Sequence, residues 1–518
     1  MDSSLISAIA LDLGTTSIKA ALLDQDGELH HISALPAPAI DSHAGYYESD
    51  AMEYANRAEE VLQQCAAHLP REVLINSTNE MKCETHGTQQ PRHINLIGEG
   101  VSTAQRSNSL VQSINQRFPN KPPLGMCSQR SSFLLWDNIS GQPVTPLISW
   151  QDNRGSRCCD LLHAVADDIQ IMTGLRLTAY YFAPKLSVLL QDHPEWRLLL
   201  SEGKWLAGTL DTFLIWRWTH GQHFITDASM AARTLLMDIR QRQWSDQLCQ
   251  LFDIPLAALP QITPTTALNI PMDNGFTLQS SVGDQSAALI ACVADNSDEA
   301  LINLGTGGFV IRTLAPETTA LKGYLHTFVC QEENRPARFA IEGTLNSITA
   351  ALAAYPVRNC HVDDLARNDI FCIAEPSGLG APYFRTEWGI HFSESTTALT
   401  AEQTAALMLE AIIFRVARIL EDFHQDAPLS RAYLSGGLSE LSCLQYGIAQ
   451  CAPCPILHMT QKETSLQGAA LLAIQHRIKS SRYGDTIPIA NRNNALLRKY
   501  QHWKNWLDTI LSIGTQHN

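Results

Sequence analysis

Two short segments rich in glycine and threonine, about 290 residues apart, most constrain how this 518-residue chain can fold. The first is Gly14-Thr15-Thr16-Ser17, between two apolar runs of strand length, Leu5 to Asp12 and Ile18 to Leu23. A polar turn at Asp24-Gln25-Asp26-Gly27 follows, and Glu28 to Ala34 reads as a third strand. The second is Gly305-Thr306-Gly307-Gly308, between Ala300 to Leu304 and Phe309 to Thr313. In both places the turn joins two strands. A P-loop or Rossmann turn must open a helix, so the order argues against both. One strand–turn–strand unit opening each half predicts a duplicated architecture in which each half supplies one phosphate-facing loop.

Helical patterns fill the intervals. Asp50 suits a helix cap with Glu53 three residues on, followed on one face by Met52, Ala55, Ala58, Leu62 and Cys65. Leu409, Ile412, Ile413, Val416, Ile419, Leu420 and Phe423 form an apolar stripe at helical spacing. Both stripes read as core packing. Tyr500, Trp503 and Trp506 are spaced as on a helix and are expected to dock on the second half. Residues from about 70 to 121 are polar and weakly periodic, and read as an insertion.

Composition narrows the class. At 45% apolar and 17% charged residues, the chain has ordinary globular content for more than one core. A formal charge of −15 argues against a nucleic-acid or anionic-membrane binder, which needs clustered Lys and Arg. A local pocket for ATP remains compatible with it. No apolar run of about 18 residues predicts a membrane span, and the N-terminus reads as a first strand rather than a signal peptide. The 13 cysteines form no regular framework, and a reducing, cytoplasmic setting is expected. Cys451 and Cys454 form a C-x-x-C without a second ligand pair, and Cys158 and Cys159 are adjacent; all four read as structural.

Four motifs suit chemistry. At Gly14 to Ser17, glycine lets the backbone turn against a phosphate, while hydroxyls and N–H groups donate to its oxygens. Asp12 at the strand end suits a magnesium ion, held directly or through water, and Lys19 adds a positive charge. An ordinary hairpin would use the same residues, and the second copy at Gly305, Thr306 and Gly307 is what raises the phosphate reading. Gly436-Gly437 would let the backbone approach a base or ribose, although a strand–helix turn accounts for the spacing. Gly283-Asp284-Gln285 precedes an apolar helix. There Asp284 is either a helix cap or a carboxylate facing a cleft, placed to take a proton during phosphoryl transfer.

The ordered set DLGTTSIKA, SQR, ISWQD, AGTLDTFLIWRWT, TDASMAARTLLMD, VGDQSAAL, NLGTGGF, GLGAPYF and SGGL resembles the FGGY carbohydrate kinases, most of all their glycerol-phosphorylating branch. The resemblance runs from about residue 6 to 475, outside the inserted stretch. It implies an α/β actin/hexokinase-like (ribonuclease H-like) fold, a duplicated two-lobe ATPase with a central cleft. The expected lobes are 1–293, binding the sugar or polyol, and 294–518, binding the nucleotide. It implies ATP and Mg2+, a small sugar or polyol as acceptor, and Asp284 as base. Asp12, Gly14, Thr15, Thr16, Ser17 and Lys19 would serve the first phosphate and metal site. Thr306 and Gly307, with Gly305, would face the phosphates from the second lobe, and Gly436 and Gly437 would lie beside the adenosine. Arg130, Trp150, Tyr180, Asp284, Gln285 and Phe309 would meet the acceptor.

Departures matter as well. Ser131 stands where the glycerol-phosphorylating branch has a glutamate, which removes a carboxylate that accepts two hydroxyl protons. A larger polyol or a ketose (xylulose, ribulose, a heptulose) becomes plausible. Leu441, Thr349 and Ala353 replace residues near the nucleotide. These changes keep a second reading in view, a catalytically weak, regulatory ligand-binding homologue. An actin- or chaperone-type ATPase is a third, disfavoured by the SQR and WQD motifs. Homo-oligomers are common in such enzymes, but nothing in the sequence fixes a number.

Overall fold

The structure, a computed structural model, describes residues 6–69, 121–293, 298–305, 307–315, 318, 320–476, 484–489 and 491–514. Most of the expected insertion, residues 70–120, therefore lies outside the described residues, as does Thr306.

The first lobe is built on β1 (Ile6–Leu13), β2 (Ser17–Asp24) and β3 (Leu29–Pro36), then helix α1 (Ala51–Ala66) and β4 (Leu124–Ser128), β5 (Ile270–Pro271) and β6 (Thr277–Gly283). Helix α2 (Asp284–Cys292) follows β6 directly. The sheet order is β5-β6-β4-β1-β2-β3. The second lobe carries β7 (Glu299–Leu304), β8 (Gly308–Leu314), β9 (Leu325–Cys330), β10 (Arg338–Leu345), the long helix α3 (Ala401–Asp426), β11 (Arg431–Ser435), β12 (Ile456–Met459), helix α4 (Thr464–Ala473) and β13 (Gly484–Thr486). Its order is β9-β10-β8-β7-β11-β12-β13. Each lobe thus opens with an antiparallel pair around a Gly/Thr turn, β1–β2 and β7–β8, as the two sequence segments predict.

Side-chain size on β1 decides what covers each face. Ile9, Leu11 and Leu13 point into the cluster formed with α1 residues such as Tyr54, Ala58 and Leu62. Ala8 and Ala10 point the other way and share a cluster with Ala287 and Leu289 of α2, Leu466 and Ala469 of α4, Leu301 of β7 and Tyr433 of β11. Small residues on that face let helices approach closely. A Cβ on Gly468 would sit 1.9 Å from the Ala287 carbonyl oxygen, and one on Gly125 would sit 2.0 Å from that of Ala469. Helices α2 and α4 therefore pack almost backbone to backbone, and one core joins the two lobes.

Asp50 caps α1 as expected, accepting from the amides of Met52 and Glu53. The apolar stripe of α3 is buried along its length. A final helix, α5 (Asn494–Gly514), lays Leu496, Tyr500, Trp503 and Leu507 into the second-lobe core. A further five-stranded sheet in the first lobe runs through strands 41–43, 46–49, 147–148, 133–137 and 205–209. It positions the segments that carry Arg130 and Trp150. Among the described residues, no helix is long and apolar enough to cross a membrane.

Candidate active site

The carboxyl ends of three parallel strands meet at one edge of the first sheet. Leu13 of β1 is level with Ser128 of β4, and Ser128 is level with Gly283 of β6. Asp12, the Gln129-Arg130 pair and Asp284 therefore emerge side by side, the location at which open α/β sheets offer a crevice. The second lobe repeats the arrangement, with Asn303 of β7 level with Ser435 of β11. Gly305 and Gly436 leave from neighbouring strand ends.

The first turn is held from several sides. A Cβ on Gly14 would lie 2.7 Å from the Ser17 carbonyl oxygen, so only glycine fits. The Tyr54 hydroxyl donates to the Gly14 carbonyl at 2.6 Å. Thr15 Oγ1 accepts from the Trp150 indole at 2.9 Å and donates to Gln129 Oε1 at 3.3 Å. Ser132 Oγ donates to the same Gln129 oxygen at 2.8 Å and accepts from the Trp150 amide at 2.9 Å. Thr15 of the first turn and Trp150 thus belong to one hydrogen-bonded unit. Thr16 is exposed and Ser17 half-buried.

Asp284 is the first residue of α2, behind Gly283, and its Oδ1 accepts the following Gln285 amide at 2.7 Å. The cap position itself is Gly283, without a side-chain cap bond, so Asp284 is not the helix cap; its side chain is 28% exposed, with Oδ1 3.5 Å from Arg130 Nε. Removal from water raises its pKa, and the Arg130 guanidinium opposes that rise. Burial, with the charge of Arg233 beside it, brings Arg130 down to about 10. Asp12 Oδ1 is buried without a hydrogen-bond partner. Burial, with the negative charge of Asp284 added, pushes that carboxyl up to about 7.

Where the two lobes meet, Lys19 reaches the second lobe, with Nζ 2.6 Å and 2.7 Å from the two oxygens of Glu463. Gly305 N–H donates to the Gly307 carbonyl at 2.9 Å, and Thr349 Oγ1 donates to the Gly305 carbonyl at 2.7 Å. Gln285 Oε1 lies 3.5 Å from Asn303 Nδ2, which links α2 to the second lobe. Gly436 has φ +93°, and a Cβ there would meet the Leu304 carbonyl at 2.4 Å. The space above Gly437 is open, with no atom within 4 Å of an added Cβ. Phe309, next to the second turn, packs partly buried against the inter-lobe core.

The rings of Trp150 and Tyr180 lie 6.1 Å apart, and Tyr180 is 43% exposed. Ser131 has φ +66° and donates its hydroxyl inward to the Arg233 carbonyl at 2.8 Å. It is buried, so it fixes the loop beneath Arg130 instead of leaving an open space where a glutamate is missing. Lys185, fully buried and pushed down to about 7 by its loss of water, donates to the carbonyls of Ser149 at 2.8 Å and Ser131 at 3.4 Å. One ammonium therefore ties the Arg130 and Trp150 segments together. Behind Arg130, Arg233 of the first lobe is ion-paired with Glu342 of the second, both buried, and Thr327 Oγ1 donates to the same carboxylate at 3.2 Å.

Sequence reasoning singled out the turn glycines, Asp12, Arg130 and Asp284. It passed over Gln129, although the SQR motif contains it, and over Tyr54, a buried residue of the first helix outside the named stripe. It gave no sign of Arg233, Glu342, Lys185 or Glu463, whose partners are remote in the chain. Cys451 and Cys454 are free and buried, and among the described residues no three His, Cys, Asp or Glu side chains group to hold a metal ion.

Two lobes, each opened by an antiparallel strand pair and joined by a shared core, form an actin/hexokinase-like fold. Residues 7–80 and 102–300 match the model for the N-terminal domain of the FGGY family of carbohydrate kinases, and residues 300–475 match that for its C-terminal domain. The chain belongs to the FGGY family of carbohydrate kinases. It is 27% identical to a glycerol kinase of Acinetobacter baylyi over 485 residues, covering 90% of this chain and 89% of the relative. It is 26% identical to an apulose kinase of Pectobacterium atrosepticum, covering 96% of each. The fold is similar to that of Plasmodium falciparum glycerol kinase with ADP, with a TM-score of 0.74 at 21% identity over 97% of this chain and 98% of the other. The protein is an ATP-dependent carbohydrate kinase.

Proposed function

We propose that this enzyme transfers the γ-phosphoryl group of ATP, with magnesium, to a hydroxyl of a small polyol or ketose, with Asp284 as the base. The observation that carries the reading is the Asp284 carboxylate at the sheet edge, 3.5 Å from Arg130, beside the first Gly/Thr turn. Relatives named glycerol kinase and apulose kinase support this acceptor class. Residues 1–293 are assigned to the acceptor lobe and 294–518 to the nucleotide lobe.

The donor set fits the cofactor. Asp12 Oδ1 is a buried carboxylate oxygen lacking a partner, which a hard cation would supply. Magnesium binds through one or two carboxylates plus water and phosphate oxygens, so a full protein cage is not required. ATP with magnesium, when bound, supplies the transferable group and neutralises its charge. The backbone of Gly14 and Thr15, with the Thr16 and Ser17 hydroxyls and the Lys19 ammonium, holds the phosphates from the first lobe. Gly305, Thr306 and Gly307 hold them from the second, and Gly436 and Gly437 flank the adenosine. Trp150, Tyr180 and Phe309 shape the acceptor pocket, while Arg130 and Gln285 orient its hydroxyls. Asp284 Oδ takes the hydroxyl proton as the oxygen attacks. Closure of the lobes excludes water.

Ser131 favours an acceptor other than glycerol, because its hydroxyl is committed to the Arg233 carbonyl. Twelve free cysteines among the described residues support a cytoplasmic setting. Replacing Asp284 with Asn is expected to keep ADP binding and lower turnover at least about a hundredfold. A coupled assay of ADP production across polyols and ketoses, run with and without magnesium, tests both assignments. A near-parental rate for the Asn variant would remove Asp284 from the base role.

A further inference from the structure

Lys19 and Glu463 are 444 residues apart in sequence and meet where the two lobes pack together. Lys19 is the antiparallel partner of Asp12 on β2. Glu463 occupies the residue before α4, where a side chain would normally cap the helix. It makes no such bond, and both carboxylate oxygens are given to Lys19 instead. Both side chains are about one-quarter exposed, so the pair is accessible to a soluble anion.

We infer that Glu463 is a competing anion that occupies Lys19 between turnovers and is displaced by nucleotide phosphate, lowering nucleotide affinity and speeding product release. This rests on the reading above that Lys19 faces the phosphates. The lysine cannot hold Glu463 and a phosphate with equal strength, so nucleotide binding must first weaken a contact that spans both lobes. When product leaves, the same carboxylate recaptures the ammonium. Glu463, from the opposite lobe, is the ion-pair partner of Lys19, and Asp12 lies beside Lys19 on the neighbouring strand.

Calorimetric titration of ADP, in EDTA so that no divalent cation contributes, tests this on the full chain as wild type, Glu463→Gln, Lys19→Ala and the double variant. Loss of an ion pair of this exposure predicts that Glu463→Gln tightens ADP about 2- to 5-fold. Lys19→Ala is expected to weaken ADP about 3- to 10-fold, and the double variant to match Lys19→Ala, because the carboxylate then has nothing to withhold. If Glu463→Gln fails to tighten ADP, or tightens it equally with and without Lys19, the competing-anion role is overturned. If Lys19→Ala binds ADP as the parent does, the phosphate-facing role of Lys19 itself fails, and the inference with it.

Discussion

Asp12 is a carboxyl in an unusual condition: ordinarily near 3.8, it is pushed up to about 7 by burial and by Asp284. Between those values the folded protein holds a proton that the unfolded chain has released. Its contribution to stability therefore falls as pH rises from about 4 to about 7, and stays low above that. Asp12→Asn is expected to melt higher than the parent near pH 8, with the difference gone near pH 4, as scanning calorimetry would show. Affinity for ADP with magnesium is expected to rise through the same window as the proton leaves, and to lose this dependence in the Asn variant. Asp12 was legible because it ends an apolar run just before the first turn, and Asp284 because it stands between a glycine and an apolar helix. Glu463 was not, because the residue before an apolar helix says nothing about a lysine hundreds of positions away.

Among the elements, β10 and the segment after residues 228–231 are joined by the buried Arg233–Glu342 pair, 109 residues apart in sequence. Burial of both groups is compensated only while each keeps its partner. Glu342→Leu strands a buried guanidinium and is expected to cost about 3–5 kcal/mol in chemical denaturation. Adding Arg233→Met should recover much of that loss, which would separate stranded charge from lost packing. Helices α3 and α5 were readable from spacing alone, since Leu409 to Phe423 and Tyr500 to Trp506 repeat with the helical period. The ion pairs were not, because complementary charge carries no period along a chain.

For the molecule as a whole, duplication was the readable signal. The two Gly/Thr hairpins fix the opening of each lobe, and the sheets then follow. The closeness of the lobes was hidden, since a glycine in a helical run looks like a weak helix residue until its neighbour is known. Gly468→Ala is expected to cost about 1–3 kcal/mol, because its methyl would overlap the Ala287 carbonyl of α2. It should also lower turnover, since α2 carries Asp284 at its start, and assays of melting and rate on one preparation would show both losses. The common core has a broader consequence. Ala8 and Ala10 of the first lobe are sheltered by α4, which belongs to the second, and Leu301 and Tyr433 of the second share that shelter with α2 of the first. Neither half carries the means to cover its own inner face. Each is the other's folding template, and evolution cannot trade one away without supplying a replacement of the same contour.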